Sequence, residues 1–120
     1  MSIIWIKIGS FLMFLGVVLG AFGAHALRSK MSDHAFDMYK TGVLYHFIHA
    51  LGLFVVAWLM TISSDPKIVL AGKFFIAGII LFSGSLYLYS LTGTRWLGAI
   101  TPLGGLCFLT GWVFIMLIGK

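Results

Sequence analysis

The chain has 120 residues, 61% of them hydrophobic and only 9% charged, with a mean hydropathy of +1.10; this lies far outside soluble-domain usage. One helical crossing of a bilayer takes about 20 apolar residues, so four crossings would use about two-thirds of the chain and leave loops but no separate soluble domain. The net charge of +5 comes from eight Lys and Arg spread along the sequence, a pattern that fits anionic lipid headgroups and argues against a nucleic-acid surface.

The first crossing is expected over about residues 3–26, with Lys7 snorkelling to the headgroups. Its small-x-small end, Ala24-His25-Ala26, imitates a signal-peptide cleavage site, but the apolar run is longer than a signal h-region, so it reads as a retained helix. Gly9, Gly16, Gly20 and Gly23 fall on one helical face and permit close approach of another helix, in the bundle or in a homodimer. Arg28 and Lys30 then complement the negative helix end and face headgroups.

Residues 32–41 predict a short interfacial amphipathic helix capped by Ser32, with Ala35, Phe36 and Tyr39 towards the membrane and Asp33, Asp37 and Lys40 towards water. The second crossing, about 42–62, has no formal charge. Asp65-Pro66 is a cap-plus-proline start for the third, about 66–91, where Ser83-Gly84-Ser85 forms a small contact surface with two hydroxyls. Arg95 and Trp96 are a belt pair at the headgroup level. Thr101-Pro102 predicts the start of the fourth crossing, about 101–119, with Gly104 and Gly105 as its small face. The fold class is therefore an all-α membrane protein, four transmembrane helices in an antiparallel bundle with both termini on one side. Lys7, Lys67, Lys73 and Lys120 on the terminal side balance Arg28, Lys30, Lys40 and Arg95 on the other, so the positive-inside rule assigns no orientation.

Several motifs in order resemble domain-of-unknown-function family 423, also called uncharacterised protein family 0382, which includes animal transmembrane protein 256. They are Gly20-Ala21-Phe22-Gly23-Ala24-His25-Ala26-Leu27, Tyr45-His46-Phe47-Ile48-His49-Ala50-Leu51, Phe82-Ser83-Gly84-Ser85-Leu86-Tyr87, Thr101-Pro102-Leu103-Gly104-Gly105 and Gly111-Trp112. The resemblance spans essentially the whole chain. It implies a small multi-pass protein of the bacterial cytoplasmic (inner) membrane, with no known catalytic residue or cofactor to carry over. It also implies that Gln often replaces the first histidine of Tyr-His-x-x-His, which ranks His25 and His49 above His46 as ligand candidates.

The histidines are the chemical question. Taking Gly42 as the membrane boundary, a rise of ~1.5 Å per residue puts His46 about 6 Å deep and His49 about 10 Å. His25, ending the neighbouring helix, is expected at a similar level, completing a cluster under one membrane face. The leading reading is structural: neutral imidazoles bonding carbonyls, Tyr45, Ser83 or Ser85. The alternative is a binder of metal, haem, quinone or a lipid headgroup, with His25 and His49 as haem ligands or with Arg28 and Arg95 on a headgroup. Against it, the only carboxylates are Asp33, Asp37 and Asp65, and Cys107 belongs deep in the last crossing. A serine triad through Ser83 or Ser85 lacks any elbow motif. The expected function is thus non-enzymatic, as a scaffold, accessory subunit or membrane-organising factor. Its expected partners are membrane lipids, a second copy or a larger membrane complex, with no nucleic acid and no cofactor.

Overall fold

The computed structural model describes residues 2–119; Lys120, counted above among the terminal-side cations, lies outside them. Four helices are long and apolar enough to cross a membrane: α1 (Ser2–Lys30), α2 (Asp33–Leu59), α3 (Pro66–Thr92) and α4 (Leu97–Met116). At ~1.5 Å per residue, α1 and α2 are each about 40 Å long, roughly 10 Å more than the hydrocarbon core. Their ends must therefore stand in the headgroup region. This accounts for the expected interfacial helix over 32–41: residues 33–41 are helical, but as the first turns of α2 and continuous with the second crossing. Ser32 does cap it, its hydroxyl accepting the Ala35 N–H at 3.1 Å.

Because α1 extends to Lys30, these protruding turns still have a neighbour. Phe36 and Tyr39 are buried instead of facing lipid as expected. The Arg28 guanidinium lies 4.5 Å from the Phe36 ring centre, a cation–π contact that fastens the two helix ends together. Asp37 and Lys40 form an exposed ion pair at 3.7 Å, of little energetic weight.

In chain order each helix packs on the next, so α2 and α3 occupy the interior and α1 and α4 the flanks. Apolar burial does not drive helices together in lipid, so close fit must do it. The fit here is glycine against aromatic ring. A Cβ at Gly16 would stand 2.6 Å from Phe47, at Gly20 2.8 Å from Val43, at Gly23 2.7 Å from the Tyr39 hydroxyl, and at Gly9 3.3 Å from the Ala50 carbonyl. The whole α1 stripe is consumed inside the protomer by α2. Trp5 fills the space left by Gly72, and Phe75 packs against both Gly52 and Gly111, around a core that includes Leu53, Val56 and Ile68.

Two helix starts differ in kind. Asp65 caps α3 as expected, Oδ1 accepting the Lys67 N–H at 2.9 Å with Pro66 at the first helical position. The fourth helix, however, begins at Leu97, leaving Pro102 inside it. The first turn is wound tightly by Gly98 N–H to Arg95 and Ala99 N–H to Trp96, and Pro102, past that turn, leaves the Gly98 carbonyl without its i+4 backbone donor. Gly93, at φ +71°, supplies the left-handed turn that ends α3. α1 and α3 each contain a π-helical stretch, Val18–Gly23 and Ile79–Ser83, which sequence periodicity did not reveal.

The two glycines of α4 play opposite roles. A Cβ at Gly104 would collide with the Phe82 backbone, whereas at Gly105 the nearest atom is a Phe82 ring carbon at 3.9 Å. Gly84, expected to pack, meets only the Ile79 carbonyl of its own helix, at 3.9 Å from a would-be Cβ, while its neighbours Ser83 and Ser85 are the buried residues there. Gly104→Ala should therefore cost about 1–3 kcal/mol by overpacking, while Gly105→Ala should be neutral or stabilise through helix propensity. Reversible unfolding in detergent micelles tests the contrast, and equal effects at the two positions would refute it.

Asp65 also ties down the end of the chain, its Oδ2 accepting the Gly119 N–H at 2.8 Å. That bond first, and the Lys67 N–H second, hold its carboxyl below the ordinary aspartate value. A depressed folded value means the clasp contributes fully above the ordinary aspartate pKa, about 3.9, and is lost as pH falls through the folded value. The Gly119 amide resonance should shift with that titration, and the shift should vanish in Asp65→Asn.

Candidate functional site

The chemically interesting side chains collect along the inner face of α2. Helical spacing puts His46 and His49 on neighbouring positions of that face, and both are buried. They serve different neighbours. His46 Nε2 lies 2.7 Å from the Leu12 carbonyl of α1. A carbonyl can only accept, so Nε2 carries the proton, and Nδ1 then accepts the Tyr87 hydroxyl of α3 at 2.8 Å. One imidazole thus bridges three helices.

His49 has the other tautomer. Its Nδ1–H donates to the Tyr45 carbonyl one turn back at 2.9 Å, and Nε2 accepts the indole N–H of Trp112 on α4 at 2.9 Å. The ring lies face to face on Phe108, centroids 3.5 Å apart and planes 9° apart, with Phe75 edge-on at 5.3 Å. Both imidazoles are therefore neutral with both nitrogens engaged. A metal or haem iron would have to displace Trp112 or Tyr87 to reach a lone pair.

The remaining polar groups follow the same pattern. Ser83 donates to the Gly42 carbonyl at 2.7 Å. Ser85 bonds the Phe82 carbonyl at 2.9 Å and the Thr101 hydroxyl at 2.6 Å. Neither serine reaches a histidine. The Tyr39 hydroxyl donates to the Leu19 carbonyl at 2.6 Å, and that same carbonyl accepts the Ala24 N–H of the α1 π-turn. Among the described residues no buried side-chain nitrogen or oxygen lacks a partner.

The expected three-histidine cluster does not form. His25 is exposed, and among the described residues no three His, Cys, Asp or Glu side chains converge as a metal site. The cause is register and rotation. Gly9, Gly16, Gly20 and Gly23 meet Leu53, Phe47, Val43 and Tyr39 in antiparallel order, which sets His25 level with about Met38, eight residues or about 12 Å from His46. Two residues beyond Gly23 is also about 200° of helical rotation, which turns His25 away from α2. Tyr45 contributes its carbonyl to His49 and packs its ring against Phe82, centroids 4.7 Å apart and planes tilted by 47°. Arg28, Lys30, Arg95 and Trp96 are all exposed at helix ends. Sequence reading passed over Tyr87, Trp112, Tyr39 and the Leu12 carbonyl as partners. Only Tyr87 and Trp112 left a signal, in their place within the Phe82–Tyr87 and Gly111-Trp112 motifs.

The His49–Trp112 bond has a measurable worth. A double-mutant cycle with His49→Leu and Trp112→Phe should give a coupling of about 0.6 kcal/mol, up to about 1.7, the span found for side-chain bonds between membrane helices. Zero coupling in reversible unfolding would show that the bond does not contribute.

Residues 19–105 match the family model described as Protein of unknown function (DUF423). The UPF0382 membrane protein YwdK of Bacillus subtilis is 49% identical over 114 residues, covering 94% of this chain and 93% of its own. UPF0382 membrane proteins of Staphylococcus haemolyticus and Staphylococcus epidermidis are 38% and 39% identical over 114 residues, each covering 95% of this chain and 93% of the relative. No solved structure matches. With four membrane-length helices and relatives named as membrane proteins along almost its whole length, the chain belongs to the DUF423 family of membrane proteins of unknown function.

Proposed function

We propose that this protein works without catalysis, as a compact membrane scaffold or membrane-organising subunit whose buried polar side chains hold four helices in register. The observation that carries this reading is the saturation of His46 and His49, with all four ring nitrogens bonded inside the protein. General acid–base or ligand chemistry needs an imidazole lone pair or proton that can reach a reacting group, and here each one already has a protein partner. The bacterial relatives and the multi-pass helical design support residence in the bacterial cytoplasmic membrane. The Gly119–Asp65 clasp, together with four alternating crossings, supports both termini on one side.

The test separates packing from chemistry. In a bacterium lacking its DUF423 protein, membrane permeability to a charged dye is measured after re-expression of wild type, His46→Leu or His49→Leu. Each variant should restore the barrier in proportion to the folded protein it accumulates, and the purified protein should be colourless and metal-free. A variant that folds to wild-type levels yet restores nothing would overturn the proposal. Stoichiometric haem or metal lost on His49→Leu would do the same.

A further inference from the structure

Between α2 and α4, a groove of about 550 Å³ opens sideways on the flank that faces lipid, within the range of about 300–1,000 Å³ usual for small-molecule sites. Tyr45, Phe82, Phe108 and Trp112 wall it, and Pro102 and Gly105 form its outer lip. It arises from the packing of α4, which seats Gly104 on the Phe82 backbone and leaves the next residue, Gly105, with no atom nearer than 3.9 Å to its would-be Cβ.

Two polar features distinguish the groove from an ordinary lipid-facing surface. None of the side-chain hydrogen bonds among the described residues uses the Tyr45 hydroxyl, and 38% of that residue is exposed on the flank of a membrane-length helix, where a hydroxyl without a partner is costly. In addition, Arg95 stands in the turn that leads into α4, two residues before Leu97 and beyond the Pro102 end of the groove. Arg95 is exposed and takes part in neither ion pair found among the described residues. A cation at the headgroup level, a hydroxyl below it and an aromatic trough below that follow the order of parts in an anionic phospholipid.

We propose that this groove retains one acyl chain of an anionic phospholipid, with an ester carbonyl accepting the Tyr45 hydroxyl and the phosphate drawn to Arg95. The inference rests on membrane residence alone, so it and the packing role of His46 and His49 can fail separately.

Delipidated protein in mild detergent is mixed with dioleoyl phosphatidylglycerol or dioleoyl phosphatidylcholine and weighed by native mass spectrometry. One phosphatidylglycerol should be retained, with about a five-fold preference over phosphatidylcholine, the scale of one basic residue at an anionic surface. Arg95→Gln should abolish the preference. Gly105→Leu, which places a side chain in the trough, should abolish retention of both lipids with helix content unchanged, whereas Gly98→Leu, at a glycine with nothing within 4 Å, should behave as wild type. Tyr45→Phe should weaken retention of both lipids, and it provides the reading if Gly105→Leu fails to fold. Equal retention of the two lipids by wild type would overturn the proposal, as would undiminished retention in folded Gly105→Leu or in Tyr45→Phe. A change of protomer number in Gly105→Leu, without loss of lipid, would assign the groove to a second copy instead.

Discussion

Inside a bilayer, an apolar side chain gains little by moving from lipid to a neighbouring helix, so contact between helices has to come from fit and from polar bonds. In this bundle the fit is a series of rings lowered into spaces where a Cβ is missing. Phe47 sits over Gly16, Trp5 over Gly72, Phe75 over Gly52 and Gly111, and Phe108 over Gly78. Each substitution of a small residue brings backbones close enough for the second type of contact, a side chain reaching a main-chain carbonyl on the next helix. His46 to Leu12, Tyr39 to Leu19 and Ser83 to Gly42 all depend on that approach.

These two constraints explain the position of the polar residues better than any chemistry does. Tyr39, Gly42, His46 and His49 lie along one face of α2: Tyr39 bonds α1, Gly42 bonds α3, His46 bonds both and His49 bonds α4. The carbonyl at Leu19 is shared between a π-turn bond and the Tyr39 hydroxyl, and the other π-helical stretch ends at Ser83, which bonds Gly42. Both widened turns thus flank the same level of α2. A π-turn shifts the carbonyls that follow it around the helix axis, and here the shift accompanies interhelical bonds on both sides of the central helix.

Packing on the inner face and openness on the outer one have a common origin in α4. That helix approaches α3 through Gly104 and α2 through Trp112 and Phe108, and the space between those two lines of contact is the aromatic groove. His49 also lines it, but both of its nitrogens are engaged inside the protein. Of the polar groups along the groove, the Tyr45 hydroxyl is the one that the side-chain hydrogen bonds among the described residues leave available.

Sequence alone determined the membrane class, the number of crossings and several helix ends, because hydropathy, capping and the Asp65-Pro66 signal are local properties read within a few residues. It also identified the α1 glycine stripe as a contact surface, since helical periodicity fixes which residues share a face. It could not say that α2 would absorb the stripe, nor that α1 would run on to Lys30 and carry His25 about 12 Å past the level of His46. It missed the early start of α4, because a proline cap signal at Thr101-Pro102 competes with a tightly wound turn that begins five residues earlier. Apart from the Tyr45 carbonyl one turn before His49, the partners of His46 and His49 lie 34 to 63 residues away in the chain. Which donor met which acceptor was decided by interhelical register and rotation, and those are set by the summed packing of all four helices and not by any stretch of sequence.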